Sequence, residues 1–173
     1  TGTSETTSLL DGRPAQTDVN TDLQRISVYA YEQYQVLDSL RLTAGVSYDR
    51  LNFPQNIDIA PIIDSGADND MVSPKAGLLW SPTKKTNVRG YYARSLGGLF
   101  FDTSVRIEPV QIAGFNSVYR SLIPESVRGL LAGSEFETWG AAIDHHFTKT
   151  GTYVGLEGEY LTSSAERAFG VYD

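Results

Sequence analysis

Residues 39–50, SLRLTAGVSYDR, alternate strictly between apolar and polar side chains. The apolar positions hold Leu40, Leu42, Ala44, Val46 and Tyr48. A period of two predicts a strand with one apolar and one polar face. Similar patterns predict five further strands, over residues 25–37, 71–81, 87–95, 134–147 and 152–163.

The connections between the predicted strands alternate in length. Residues 38–39, 81–86 and 148–151 read as short polar turns, whereas residues 54–70 and 96–133 read as long connections. An up-and-down outer-membrane barrel has short turns at one end and long extracellular loops at the other. The alternation therefore favours a partial, antiparallel transmembrane β-barrel of about six strands in three hairpins over a Greek-key sandwich.

The remaining segments lack a sustained period. Residues 1–23 are rich in Thr, Ser, Asp and Gly and are predicted to be loop, and residues 165–173 are predicted to begin another loop. Within the second long connection, Pro124 and Gly133 bound a stretch that predicts a short helix. Because the chain begins at Thr1 and stops just after a strand-like region, we expect a piece of a larger barrel.

The two faces of the predicted strands differ in chemistry. In a barrel the polar face lines the lumen and the apolar face contacts lipid, whereas in a soluble sandwich they contact water and a second sheet. The candidates for ligand contact or for the lumen are Arg41, Asp49, Lys75, Asp144, Glu157 and Glu159. They lie among Gly45, Gly77, Gly140 and Gly155, where the backbone could approach a plug or a solute closely. The lipid-facing candidates are Leu40, Leu42, Val46, Leu78, Trp80, Ile143, Val154 and Leu156.

Composition narrows the function classes. The formal net charge is -7, and no cluster of Lys and Arg stands out, which disfavours a nucleic-acid partner. The absence of Cys removes disulfides, thiolate metal sites and a Cys nucleophile. No run of about 18 apolar residues predicts a transmembrane helix, but barrel strands escape that test because only half of their residues are apolar.

Three groups of side chains suggest chemistry but have simpler explanations. His145 and His146 are adjacent on a strand and point to opposite faces, which prevents chelation of one ion in regular geometry. Glu157 and Glu159 share a face, where a solvated lumen explains them better than a paired-carboxylate enzyme. Residues 63–70 alternate carboxylates but lack the spacing of an EF-hand, which leaves weak surface calcium binding as the alternative. We therefore predict no catalytic residue, no metal site and no cofactor.

Two stretches carry a family resemblance. Residues 27–51, SVYAYEQYQVLDSLRLTAGVSYDRL, resemble a hairpin that recurs in the barrels of TonB-dependent outer-membrane receptors. Residues 72–95, VSPKAGLLWSPTKKTNVRGYYARS, resemble the hairpin that follows it in that family. The resemblance covers residues 25–95, and residues 134–164 fit it more loosely.

The resemblance implies a function and partners. It implies a receptor in the cell outer membrane, not an enzyme, that imports a scarce solute such as a metal chelate. The implied partners are outer-membrane lipid, a plug domain, the remaining barrel strands and the inner-membrane TonB complex acting through the plug. Nothing in the chain resembles the plug itself, and six strands form only an arc of a barrel of roughly 22 strands.

Two alternatives share much of this pattern. A passive porin or a polysaccharide-export barrel has the same strands without a plug. A soluble all-β binding or adhesion module would instead pack its apolar faces across two sheets.

Overall fold

The computed structural model describes residues 2–10, 13–22, 24–56, 63–97, 108–109, 111–116 and 133–164. Within these ranges every regular element is a strand. The strands are β1 (Gly2–Leu10), β2 (Arg13–Thr21), β3 (Gln24–Leu37), β4 (Leu40–Asn56), β5 (Ile63–Thr83), β6 (Thr86–Leu96), β7 (Gln111–Ile112), β8 (Phe115–Asn116), β9 (Glu135–Phe147) and β10 (Thr152–Ser164). No helix in the described part of the chain is long and apolar enough to cross a membrane.

Six of the strands form one antiparallel sheet in the order β10-β9-β6-β5-β4-β3. Three hairpins, β3–β4, β5–β6 and β9–β10, lie side by side in it. The sheet is open, with β3 and β10 as its edge strands. The predicted all-β, antiparallel architecture of six strands in three hairpins is confirmed.

The register of the sheet follows the apolar pattern of the sequence. Val28 lies opposite Tyr48, and Leu42 lies opposite both Tyr34 and Leu78, so apolar residues meet apolar residues across the strands. A slip of one residue would turn every such side chain to the other face, so this pattern specifies the pairing. β5 pairs with β6 from Lys75 onward, directly after Pro74, which has no N–H to donate.

The three short turns lie together at one end of the sheet. The Ser81 amide donates to the Ser39 carbonyl at 2.7 Å, and the His146 amide donates to the Lys85 carbonyl at 2.8 Å. These bonds join each hairpin to the next at the turn end. The long connections therefore leave from the opposite end.

Residues 1–23 differ from the predicted loop. They contain the hairpin β1–β2, paired in register from Gly2 opposite Thr21 to Leu10 opposite Arg13. The segment is polar but rich in Thr, whose β-branched side chain favours strands. The polar composition of the segment indicated a loop, but the preference of Thr for strands allows the hairpin instead.

The first long connection is also shorter than predicted. β4 continues to Asn56 and β5 begins at Ile63, so much of the predicted loop 54–70 is paired strand. A side-chain contact joins the same two strands, because the Asn52 amide donates to the carboxylate of its partner Asp68 at 2.8 Å. Backbone pairing therefore continues where the apolar alternation of the sequence has ended.

Hydrogen bonds join the two ends of the second long connection, residues 96–133. The Gly97 amide donates to the Ser134 carbonyl at 2.7 Å, and the Gly133 amide donates to the Gly97 carbonyl at 2.9 Å. Residues 108–109 and 111–116, which include the pair β7–β8, fold back onto the sheet, and we call them the inner hairpin. The predicted helix lies outside the described residues apart from Gly133, and residues 165–173 also lie outside them.

Candidate functional site

The sheet separates the two predicted sets of residues. All six charged candidates fall on one face, the polar face: Arg41, Asp49, Lys75, Asp144, Glu157 and Glu159. All eight apolar candidates fall on the other, the apolar face: Leu40, Leu42, Val46, Leu78, Trp80, Ile143, Val154 and Leu156. The strand register gives this division, since directly opposed residues share a face.

The apolar face is open. Val28 is 64% exposed and Leu156 is 74% exposed, and most large side chains on this face are similarly accessible. Glu32 is an exposed charge within the apolar row of β3. On the long-connection side of Tyr92 and Trp139 the face becomes polar, where Arg94 pairs with Glu135 at 3.2 Å.

The polar face is covered over much of its area. Asp49 is 0% exposed and Lys75 is 2% exposed, and Ser47, Ser73 and Thr138 are also buried. This distribution is the reverse of a soluble sandwich, in which the apolar face would be covered and the polar face would meet water.

The inner hairpin is what covers the middle of the polar face. Ala113 and Gly114 have positive φ angles of 53° and 86°, as a tight two-residue turn requires. The turn sends Ile112 and Phe115 into a buried cluster with Tyr91, Ala93 and Ala142 of the sheet. The Phe115 ring stacks on the Tyr91 ring at 5.1 Å between centroids with 8° between planes.

Glycines of the sheet make room for this hairpin. A Cβ atom at Gly140 would lie 2.9 Å from ring atoms of both Phe115 and Tyr91, and one at Gly77 would collide with Ile112. A Cβ atom at Gly45 would collide with the Tyr31 ring. The glycines of the polar rows thus permit close approach, as predicted, but the group that approaches Gly77 and Gly140 belongs to this chain.

A buried ion pair joins the inner hairpin to the sheet. Lys75 of β5 contacts Glu108, and both side chains are almost fully buried. Lys75 Nζ also donates to the Tyr31 hydroxyl at 3.0 Å, and that hydroxyl donates to Glu108 Oε1 at 2.5 Å. The three groups form a closed hydrogen-bonded triangle between β3, β5 and the hairpin.

A second buried pair lies within the sheet. Arg25 of β3 donates from Nη2 to Asp49 Oδ1 at 2.8 Å and from Nε to the same oxygen at 3.2 Å. Ser27 also donates to this carboxylate, and Arg25 reaches the Leu96 carbonyl at 3.1 Å. The arrangement ties β3 and β4 to the end of β6.

The part of the polar face beside the hairpin is more accessible and more acidic. Arg89 contacts the Asp144 carboxylate at 3.3 Å and the Glu157 carboxylate at 3.1 Å. Its guanidinium also lies 5.2 Å from the centre of the Phe115 ring. Glu159 is exposed on β10, and Arg41 is exposed near the turn end, where it donates to Gln35 at 3.1 Å.

Comparison with known proteins identifies the family. The family model described as TonB dependent receptor-like, beta-barrel, matches residues 2–155. The chain belongs to the TonB-dependent receptor β-barrel family. No curated protein and no solved structure matches it. The match begins at Gly2, the first residue of β1, so it covers the β1–β2 hairpin, which forms a two-stranded sheet of its own.

TonB-dependent receptor barrels are transport and receptor proteins and not an enzyme class. His145 accepts or donates a hydrogen bond with Thr86 at 2.9 Å, and His146 stacks on Tyr153 at 4.0 Å, so the two imidazoles have separate surroundings. Among the residues that the structure describes, no group of three or more His, Asp or Glu side chains could hold a metal ion.

Several residues on or against the polar face of this receptor barrel were not predicted as site residues. They are Arg25, Tyr31, Arg89, Glu108, Ile112 and Phe115. One signal was available, because Gly77 and Gly140 interrupt rows of larger residues and Gly114 allows a tight turn between two apolar residues. Which residue fills which gap depends on contacts across the chain, and a strand pattern does not contain that information.

We expect Gly140→Ala to destabilise the receptor by about 1–3 kcal/mol, because the added methyl group has no space beneath Phe115 and Tyr91. Gly158→Ala is the matched control, since nothing lies within 4 Å of a Cβ atom at Gly158. The control should be neutral or stabilising by at most about 1 kcal/mol, because alanine restricts the unfolded chain. Urea unfolding of both variants in lipid vesicles gives the comparison, and equal effects would contradict the packing of Phe115 on Gly140.

Proposed function

We propose that this chain forms part of the outer-membrane wall of a receptor that imports a scarce solute such as a metal chelate. The apolar face contacts lipid and the polar face lines the lumen. The end with long connections faces outward and captures the solute, and the three short turns face the periplasm.

The reversed burial of the two faces carries this proposal. Leaving a Leu, Ile or Val side chain in water forgoes about 1.5–3 kcal/mol that burial would provide. A sheet that exposes a whole row of them needs an apolar environment, which lipid provides. The row from Ile26 to Val36, which is apolar except for Glu32, extends about 34 Å along β3. With the usual tilt of about 40° it covers roughly the 25 Å height of the apolar band on outer-membrane barrels.

The other components needed for import would be partners of this chain. A plug domain would occupy the lumen, and the inner-membrane TonB complex would supply energy by acting on that plug. The residues of this wall have no catalytic step to perform. Their role is to hold the lumen open to water and solute on one side while they anchor in lipid on the other.

Spin labels on single cysteines test the assignment of the two faces. In the full-length receptor in lipid vesicles, we expect a label at Ile143→Cys to be relaxed by oxygen, which concentrates in lipid. A label at Glu159→Cys should be relaxed by a water-soluble nickel complex. If the nickel complex relaxed both labels equally, the lipid-facing role of Ile143 would be wrong.

Energy dependence separates this function from that of a passive porin. Uptake of a ferric chelate in cells with a working TonB complex should fall to background when TonB is deleted. Undiminished uptake without TonB would favour the plug-free pore.

A further inference from the structure

We propose that the inner hairpin is a releasable cover of the lumen wall and that the Lys75–Glu108 ion pair is the latch that holds it closed. This proposal goes beyond solute import. It rests on the proposed function only in calling the polar face the lumen, because docking of the hairpin on the sheet is a separate property.

Two kinds of contact hold the hairpin. At its turn, Ile112 and Phe115 fit over Gly77 and Gly140, and the Phe115 ring contacts the Tyr91 ring and the Arg89 guanidinium. At its other end, Glu108 meets Lys75 and Tyr31. The apolar contacts set where the hairpin docks, and the ionic contact joins its first described residue, Glu108, to the sheet.

The Lys75–Glu108 ion pair can separate at a small net cost in free energy, which would allow the inner hairpin to leave the sheet. A buried ion pair gives little net stability, because the cost of removing both charges from water offsets most of their attraction. When both partners separate into a hydrated lumen, each regains its water. When one partner is replaced, however, the other is left as an uncompensated buried charge, which strongly favours the open state.

The Arg25–Asp49 ion pair, by contrast, lies entirely within the sheet. Arg25 and Asp49 both belong to the sheet, on paired strands β3 and β4, and their separation would require the sheet to come apart. Lys75 and Glu108 instead join the sheet to the inner hairpin, which packs on its polar face. Loss of the second pair can therefore open the cover and leave the wall intact.

A thiol placed under the hairpin reports whether the cover is closed. Ala93 is buried in the cluster that Ile112 and Phe115 complete, and cysteine adds only one sulfur atom there. We expect Ala93→Cys in the full-length receptor to react slowly with a water-soluble maleimide. Glu159→Cys, exposed on the same face, should react at least about tenfold faster, and this ratio measures protection.

Breaking the latch is the test. Lys75 lies directly opposite Ala93, so the pair is best broken from the hairpin side. Glu108→Gln in the Ala93→Cys background should raise the labelling rate about tenfold or more, which corresponds to about 1.4 kcal/mol in the opening equilibrium. The exchanged pair Lys75→Glu with Glu108→Lys should restore slow labelling. Replacing both Arg25 and Asp49 by leucine, which removes the matched buried pair inside the sheet without leaving a buried charge, should leave it slow.

Three results would overturn the proposal. Fast labelling of Ala93→Cys without any latch variant would mean that the hairpin does not cover the wall. Slow labelling in Glu108→Gln would mean that the ion pair does not hold the hairpin. Fast labelling in the Arg25→Leu, Asp49→Leu variant, equal to that in Glu108→Gln, would mean that the sheet itself has loosened. None of these results depends on solute import, so they leave the proposed function to its own tests.

Discussion

Asp49→Ala is expected to lower the free energy of unfolding of the receptor by about 3–5 kcal/mol, the largest loss among the variants considered. The substitution leaves the Arg25 guanidinium in a site where its side chain is only 7% exposed. The Leu96 carbonyl and the Ser27 hydroxyl, each 3.1 Å from Arg25, are uncharged and do not replace the lost carboxylate. Urea unfolding of the full-length receptor in phospholipid vesicles measures the loss.

An exposed ion pair provides the control for this prediction. Arg50 and Asp68 lie 3.9 Å apart with side chains that are about 60% exposed. Arg50→Ala should cost less than about 1 kcal/mol, because water screens the pair. Replacing both Arg25 and Asp49 by leucine should recover most of the loss, since no buried charge then remains. Equal losses for Asp49→Ala and Arg50→Ala would show that Asp49 is hydrated.

The strands and their two faces could be predicted because apolar and polar side chains alternate along each strand. Leu40, Leu42 and Val46 face one way because their positions differ by even numbers, and the same holds for Ile143 in β9 and for Val154 and Leu156 in β10. Each short turn joins two such patterns, so hairpin pairing follows from sequence alone. The order of the three hairpins follows too, because consecutive antiparallel strands in an up-and-down barrel pair with their neighbours.

The covered part of the polar face was not predictable in the same way. Glu108 meets Lys75 across 33 residues of chain, and Phe115 meets Gly140 across a connection with no strand pattern of its own. Local periodicity reports which face a residue occupies and nothing about what lies on that face. The alternation of side chains thus placed Asp49 and Lys75 together on the polar face, but it did not predict their burial, since charges on such a face normally meet water.

The apolar face leads to the second large prediction, Ile143→Arg. Ile143 lies between Trp139 and Phe147 in the apolar row of β9 and is 46% exposed. If lipid covers this row, an arginine near its middle should lower the free energy of unfolding by about 2–4 kcal/mol. The same substitution on a soluble surface would cost almost nothing, because water would solvate the guanidinium.

Glu159→Arg is the matched control for Ile143→Arg. It introduces the same side chain at an exposed position of the adjacent strand β10, on the polar face. We expect a change within about 0.5 kcal/mol, as for most surface substitutions. A loss at Ile143 without a loss at Glu159, measured in vesicles, would place lipid on one face and water on the other. If both variants were as stable as the unsubstituted receptor, the apolar row would have to be covered by something other than the hydrocarbon of the bilayer.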